Sequence, residues 1–283
     1  MSHFLTVPIN ENGIIVDENI DVEIQTAAIP PFKFTDVFIY SHGWWNTATQ
    51  AVAEYNVFSI GFSKVFQTFV AVSPSPLRRI NAAFSALAMG LHWPSMISEN
   101  QNSVANFLEA TSFFTMEHRA DNVGENAGYS LLRLLIEARA GQPPLRFHLI
   151  GHSFGCRVVC AGLQALAKDT ATVAAANALH AEFNVALLQG AMDADSFSPG
   201  QLYADVLTTI PNLRLLVTTS QNDTALGTWY PAAQRLTNLF SGPIPAIGST
   251  GPTGQLPIPV TDRFQVQAST PSLCRPATSP SST

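Results

Sequence analysis

The chain has 283 residues, with 14 Lys+Arg against 20 Asp+Glu, 12 % charged and 46 % hydrophobic residues. That composition is too apolar for wholesale disorder, and a formal net charge of −6 with no Lys/Arg cluster argues against a nucleic-acid partner. Three cysteines exclude a disulfide scaffold, and the length suits one α/β domain.

The first residues, MSHFLTVPINENG, carry no basic run followed by an apolar one. One charge-free stretch that calls for checking as a membrane span, between Arg79 and Glu99, is broken by Asn81, His92 and Pro94 and reads as a buried element. The expectations are therefore no membrane span and a cytoplasmic location. His3 to Ile9, the turn Asn10-Glu11-Asn12-Gly13 and Ile14 to Val16 predict an antiparallel hairpin opening the domain. Val37 to Tyr40 is apolar on both faces, as a central parallel strand is. From Thr47 the period becomes helical, with Phe58, Phe62, Phe66 and Phe69 on one face, up to Ser73-Pro74-Ser75-Pro76. Ala86 to Trp93 predicts a second core strand closed by Pro94. Residues 95–122 read as a polar, irregular insertion and candidate lid, with a short helical piece at 104–110. Gly128 to Ala140 predicts a helix with Leu131, Leu132, Leu135 and Ile136 inward and Gly141 beyond its end.

Arg146 to Ile150 then predicts a strand, Gly151 to Gly155 a tight turn, and Cys156 to Lys168 an apolar helix. An Ala-rich helix runs to about His180, and strands follow at Phe183–Leu188 and Leu213–Thr218. Strands alternating with helices mean a mostly parallel sheet with helices on both faces. Residues 269–283 hold five Ser, three Thr and three Pro among fifteen, which predicts a disordered tail after a domain spanning 1–268.

Gly151-His152-Ser153-Phe154-Gly155 is a G-x-S-x-G motif between an apolar strand and an apolar helix. That context places a serine on a strained turn, hydroxyl outward, with small residues letting strand and helix approach. The chain resembles the α/β-hydrolases of the serine esterase and lipase-like kind. A second motif, Ser41-His42-Gly43-Trp44-Trp45-Asn46 after a strand, resembles that family's His-Gly loop. The resemblance implies Ser153 as nucleophile, the backbone N–H groups of Trp44 and Phe154 as an oxyanion hole, a small ester as substrate, and no cofactor. It also implies an acid after a later strand. Ser220-Gln221-Asn222-Asp223 resembles the family's loop most closely, so Asp223 is the choice, with a helix-capping role as its plain alternative; Asp193 and Asp195 come second.

The family places a histidine after that acid. All seven histidines, at 3, 42, 92, 118, 148, 152 and 180, precede Asp223. His42, His92, His118, His148 and His152 each have a structural reading stronger than a base role, and a missing His-bearing loop and closing helix is the expectation. Two readings follow: an ester hydrolase impaired at its base, or an inactive or truncated member of the fold that binds without turnover. Cys156 and Cys160, four apart on a helix, read as packing thiols, Cys274 as a free thiol in the tail. No nucleotide-binding glycine motif and no metal constellation occurs. Trp44, Trp45, Trp93 and Trp229 follow predicted strands, where an apolar acyl or alcohol pocket would form.

Overall fold

The computed structural model describes residues 3–17, 19–20, 24, 34–44, 46–71, 84–96, 110–220, 222–223, 226, 230 and 244–258. Strands β1 (His3–Pro8), β2 (Asp36–Ser41), β3 (Ala86–His92), β4 (Arg146–His152), β5 (Glu182–Leu188) and β6 (Leu213–Thr218) form one sheet ordered β1-β3-β2-β4-β5-β6. Every pairing is parallel. Helices α1 (Ala48–Ala71), α2 (Ala110–Val123), α3 (Tyr129–Ala138), α4 (Gly155–Lys168) and α5 (Thr170–Ala178) lie between the strands, with single turns α6 (Val206–Thr209) and α7 (Ile247–Thr250). None of the described helices is long and apolar enough to cross a membrane.

β2 is buried along its whole length, as its two-sided apolar run requires. Val37 and Ile39 enter the main core with Leu149, Phe147 and the inner face of α4. Phe38 and Tyr40 point the other way, toward Tyr55 and Phe58 of α1. Helices thus lie on both faces, as the alternation of strands and helices predicts, with α1 covering β2 and β3, while on β4, β5 and β6 the α1 side is half-buried or exposed among the described residues.

The opening hairpin is corrected. Asn10 to Gly13 does turn the chain, and Val16 N–H donates to the Pro8 carbonyl at 3.0 Å. Only Ile9 and Ile15 form an antiparallel bridge, however, and the strand before the turn pairs in parallel with β3. Edge pairing with β3 gives six residues a ladder, against one bridge for the local turn. Of the stretch 95–122 read as polar and irregular, residues 97–109 lie outside the described residues. Residues 110–122 belong to α2, whose Phe113, Met116, Ala120 and Val123 are buried against the core. The tail 269–283 also lies outside the described residues.

A π-helical turn, Gly124–Gly128, joins α2 to α3 without breaking the rod. It packs on α4: a Cβ on Gly124 would stand 2.3 Å from the Val158 carbonyl oxygen and 2.7 Å from Ala161 Cβ. Only hydrogen fits there, so two helix backbones touch.

At the N-terminal ends of β2 and β4, Asp36 accepts two hydrogen bonds from Arg146 (2.8 and 2.6 Å) and one from His148 Nε2–H (2.8 Å), whose ring stacks on Phe38. Burial opposes ionisation of this carboxyl, but these donors, with the Thr35 hydroxyl, hold it well below the usual carboxylate range. Its folded-state pKa is depressed, so its contribution to stability is complete above the unfolded value of about 4 and is lost as pH falls below that. Urea midpoints measured from pH 7 to pH 3 should fall more steeply in the wild type than in Asp36→Asn. Parallel curves would show that Asp36 does not carry the acid limb. His148 therefore sits at the end of the sheet opposite the nucleophile motif.

Candidate active site

The loops leaving the C-terminal ends of the strands gather the residues singled out in the sequence, at the edge where open α/β sheets bind ligands. Ser153 follows β4 directly and has φ of +54°, a left-handed conformation that a side chain rarely adopts. Three backbone bonds hold it there. Its N–H donates to Leu188 O at 3.1 Å, and its carbonyl accepts from Cys156 N and Ala191 N, both at 3.1 Å. The flanking glycines are demanded by space: a Cβ on Gly151 would lie 2.6 Å from Cys156 Cα, and one on Gly155 2.1 Å from the Ser41 carbonyl oxygen. α4 starts at Gly155, so its unsatisfied N–H groups and positive end face the turn. The Phe154 N–H has no acceptor among the described residues.

The His-Gly loop lies against this elbow. A Cβ on Gly43 would come 2.8 Å from Ser153 Cβ and 3.3 Å from His152 Nδ1. His42 is wholly buried, stacked on Trp93 with centroids 5.3 Å apart, and its Nδ1–H donates to Gly43 O at 2.8 Å. Burial pushes its imidazole down to about 4, with the Gly43 carbonyl opposing, so the ring is neutral at physiological pH. Trp44 packs edge-on against Phe154 (5.5 Å) and Phe113 (6.2 Å). Trp93 is fully buried and donates from Nε1 to His42 O at 3.3 Å. Trp45 and Trp229 lie outside the described residues.

Asp223 leaves β6 at the same edge. Its Oδ1 accepts the Leu226 N–H at 3.1 Å, the capping geometry weighed as its alternative role. The chain beyond returns over the ends of β5 and β6: Ile247 N–H donates to Met192 O, Gly248 N–H to Gly190 O, and Ser220 N–H to Gly248 O. Asp193 instead turns inward. Its Oδ1 accepts from Tyr230 OH at 2.8 Å, and burial raises its carboxyl, with that bond opposing.

The strand register accounts for the histidines. Ser41 pairs with Leu91 and with Gly151, so His92, His42 and His152 stand side by side at the ends of β3, β2 and β4. The His42 and His92 ring centroids are 6.1 Å apart. Among the described residues, no side chain hydrogen-bonds to the Ser153 hydroxyl. His148 belongs to the far end of the sheet, and His118 and His180 are exposed; the side chain of His3 lies outside the described residues. Cys156 and Cys160 are fully buried, and burial pushes both thiols up; Cys156 Sγ lies 3.2 Å from Gly151 O. Among the described residues no group of three or more His, Cys, Asp or Glu is placed to hold a metal ion.

Behind the elbow runs an ion network that sequence reading does not anticipate. Arg157 of α4 makes a bidentate pair with Asp121 (3.2 and 2.5 Å) and reaches Glu117 at 2.7 Å. Tyr203 OH donates to Asp121 at 2.6 Å. The signal in the sequence is three charged residues, Glu117, Arg119 and Asp121, within a stretch that reads as polar.

A family model described as "Alpha/beta hydrolase of unknown function (DUF900)" matches residues 36–238, from the start of β2 to beyond Asp223. No curated protein and no solved structure matches the chain.

Proposed function

The chain belongs to this family of alpha/beta hydrolases of unknown function, and from that premise we propose that it cleaves carboxylic esters through an acyl-enzyme on Ser153. The single observation that carries the reading is the left-handed φ of +54° at Ser153, at the head of α4 and against Gly43. Strain of this kind persists only where the surroundings impose it, and here it lifts one hydroxyl clear of the backbone. In the proposed reaction Ser153 Oγ attacks the ester carbonyl, and its proton ends on the oxygen of the departing alcohol. The N–H groups of Trp44 and Phe154 receive the oxyanion, the alcohol leaves, and water releases the acid from the ester on Ser153. Asp223 is the acid of the scheme, and the substrate a small-molecule ester. Among the described residues, the imidazoles at this edge are His42, His92 and His152. We place the activity in the cytoplasm.

The second reading is a binding protein on the same fold with little or no turnover. It is favoured by the Ser153 hydroxyl having no imidazole partner among the described residues. A fluorophosphonate probe and a short nitrophenyl ester separate the two. The first reading expects stoichiometric labelling at Ser153 and ester turnover, both falling by about 10³-fold or more in Ser153→Ala. Absence of labelling, or turnover unchanged in Ser153→Ala, overturns the acyl-enzyme and leaves the second reading standing.

A further inference from the structure

We propose that the segment Trp93-Pro94-Ser95, which leaves β3, is the clamp that sets the oxyanion loop, and that Ser95 is a positioning residue of the site. The proposal rests on the acyl-enzyme reading for its catalytic consequence and on the geometry of the loop for the clamp itself.

The loop from His42 to Asn46 is held at both ends by this one segment. At the first end Trp93 Nε1–H donates to His42 O at 3.3 Å while its ring stacks on the His42 imidazole. At the other end the Ser95 hydroxyl does two things: it accepts the Asn46 N–H at 3.1 Å and donates to Asn46 O at 3.1 Å. Trp93 and Ser95 are both fully buried, so no water competes for these bonds. The clamp is itself anchored, because Arg119 Nη1 donates to Pro94 O at 2.7 Å and to Met96 O at 3.2 Å.

Between the two ends, the Gly43 carbonyl accepts from His42 Nδ1–H at 2.8 Å and from Asn46 Nδ2 at 3.5 Å. A trans peptide is rigid, with its N–H opposite its C=O. Fixing the Gly43 carbonyl therefore fixes the Trp44 N–H, on the side away from His42 and Asn46. Ser95 acts one step behind this: it places Asn46, and with it the second donor to Gly43. Such a donor must stand ready before charge develops, so its alignment is felt in the transition state more than in substrate binding.

Ser95→Ala removes both bonds to Asn46 and nothing else that the described residues make with that hydroxyl. In the full chain, kcat for the nitrophenyl ester should fall about tenfold to a hundredfold with KM within about twofold. Amide exchange across 43–46 should speed up about tenfold or more, with β2 and β4 unchanged. Thr172→Ala is the structural control: it deletes a buried hydroxyl that bonds to Asp169, away from the site, and should lower Tm without altering kcat. Equal losses of kcat in both variants, or a rise in KM alone in Ser95→Ala, overturns the positioning role. Unchanged exchange across 43–46 overturns the clamp, and this readout needs no activity. Turnover that is absent, or that survives in Ser153→Ala, counts instead against the acyl-enzyme reading, and the exchange result still decides the clamp.

Discussion

Arg157→Leu should destabilise the protein by about 3–5 kcal/mol, because removing one partner of a buried ion pair strands the other. Its guanidinium is 3 % exposed and faces Glu117 and Asp121, themselves 12 % and 19 % exposed. Leucine fills part of the volume but leaves two carboxylates and the Tyr203 hydroxyl facing one another. The loss should also depend on pH. Burial already raises the Glu117 carboxyl, with Arg157 opposing. Without Arg157 its folded-state pKa rises further above the unfolded one, so the variant loses stability as pH rises from about 4. Urea denaturation at pH 5 and pH 8 checks both points. The surface pair Arg133–Glu137, 49 % and 55 % exposed, is the internal contrast, with Arg133→Leu expected to change stability by no more than about 0.5 kcal/mol. A loss below about 1 kcal/mol in Arg157→Leu, or one equal at the two pH values, would show that the network is weakly coupled to folding.

The second large effect is expected from a single methyl group. In Gly155→Ala the new Cβ would lie 2.1 Å from the Ser41 carbonyl oxygen and 2.6 Å from that of His42. Both are backbone atoms at the end of β2 and cannot swing aside, so α4 must move outward from the sheet. We expect a loss of about 3 kcal/mol or more in stability, together with loss of fluorophosphonate labelling, because the same movement displaces the turn at Ser153. Gly61→Ala sets the sign of the comparison. Its Cβ meets nothing within 4 Å at an exposed position of α1, and alanine should stabilise there by about 0.5–1 kcal/mol. If Gly155→Ala unfolds at the wild-type denaturant concentration, β2 and α4 are not in the contact described.

The sequence and the structure agree where chemistry is local. A strand, a strained serine turn and a helix in direct succession can be read from the order of Phe147, Leu149, Gly151, Ser153 and Gly155, because each neighbour constrains the next. β2 is readable for the same reason, since apolar side chains on both faces leave few other homes for it. What could not be read depends on partners distant in the chain. β1 reads as one arm of a hairpin because its turn is visible in the residues, whereas its parallel ladder with β3 is not. The polar face of α2 reads as an irregular insertion because its partner, Arg157, lies some forty residues away. The clamp by Trp93 and Ser95 requires knowing that β3 is the immediate neighbour of β2. The row of His92, His42 and His152 likewise appears only once the register is fixed, although the confinement of every histidine to the region before Asp223 is plain from the chain itself.

The π-helical turn at Gly124–Gly128 has a consequence for how this protein can vary. An α-helix advances about 100° per residue, so the wider turn acts as a phase shifter between the two halves of one rod. Upstream, α2 must aim Phe113, Met116 and Ala120 inward; downstream, α3 must aim Leu131, Leu132, Leu135 and Ile136 the same way. Glu125 and Asn126 sit exposed on the outside of the turn. The Glu125 side chain is free to drift in evolution, whereas Asn126 Nδ2 donates to the carbonyls of Asn12 and Asn122 and Gly124 admits no side chain. Loss of any one of the five residues would rotate one half of the rod out of step with the other.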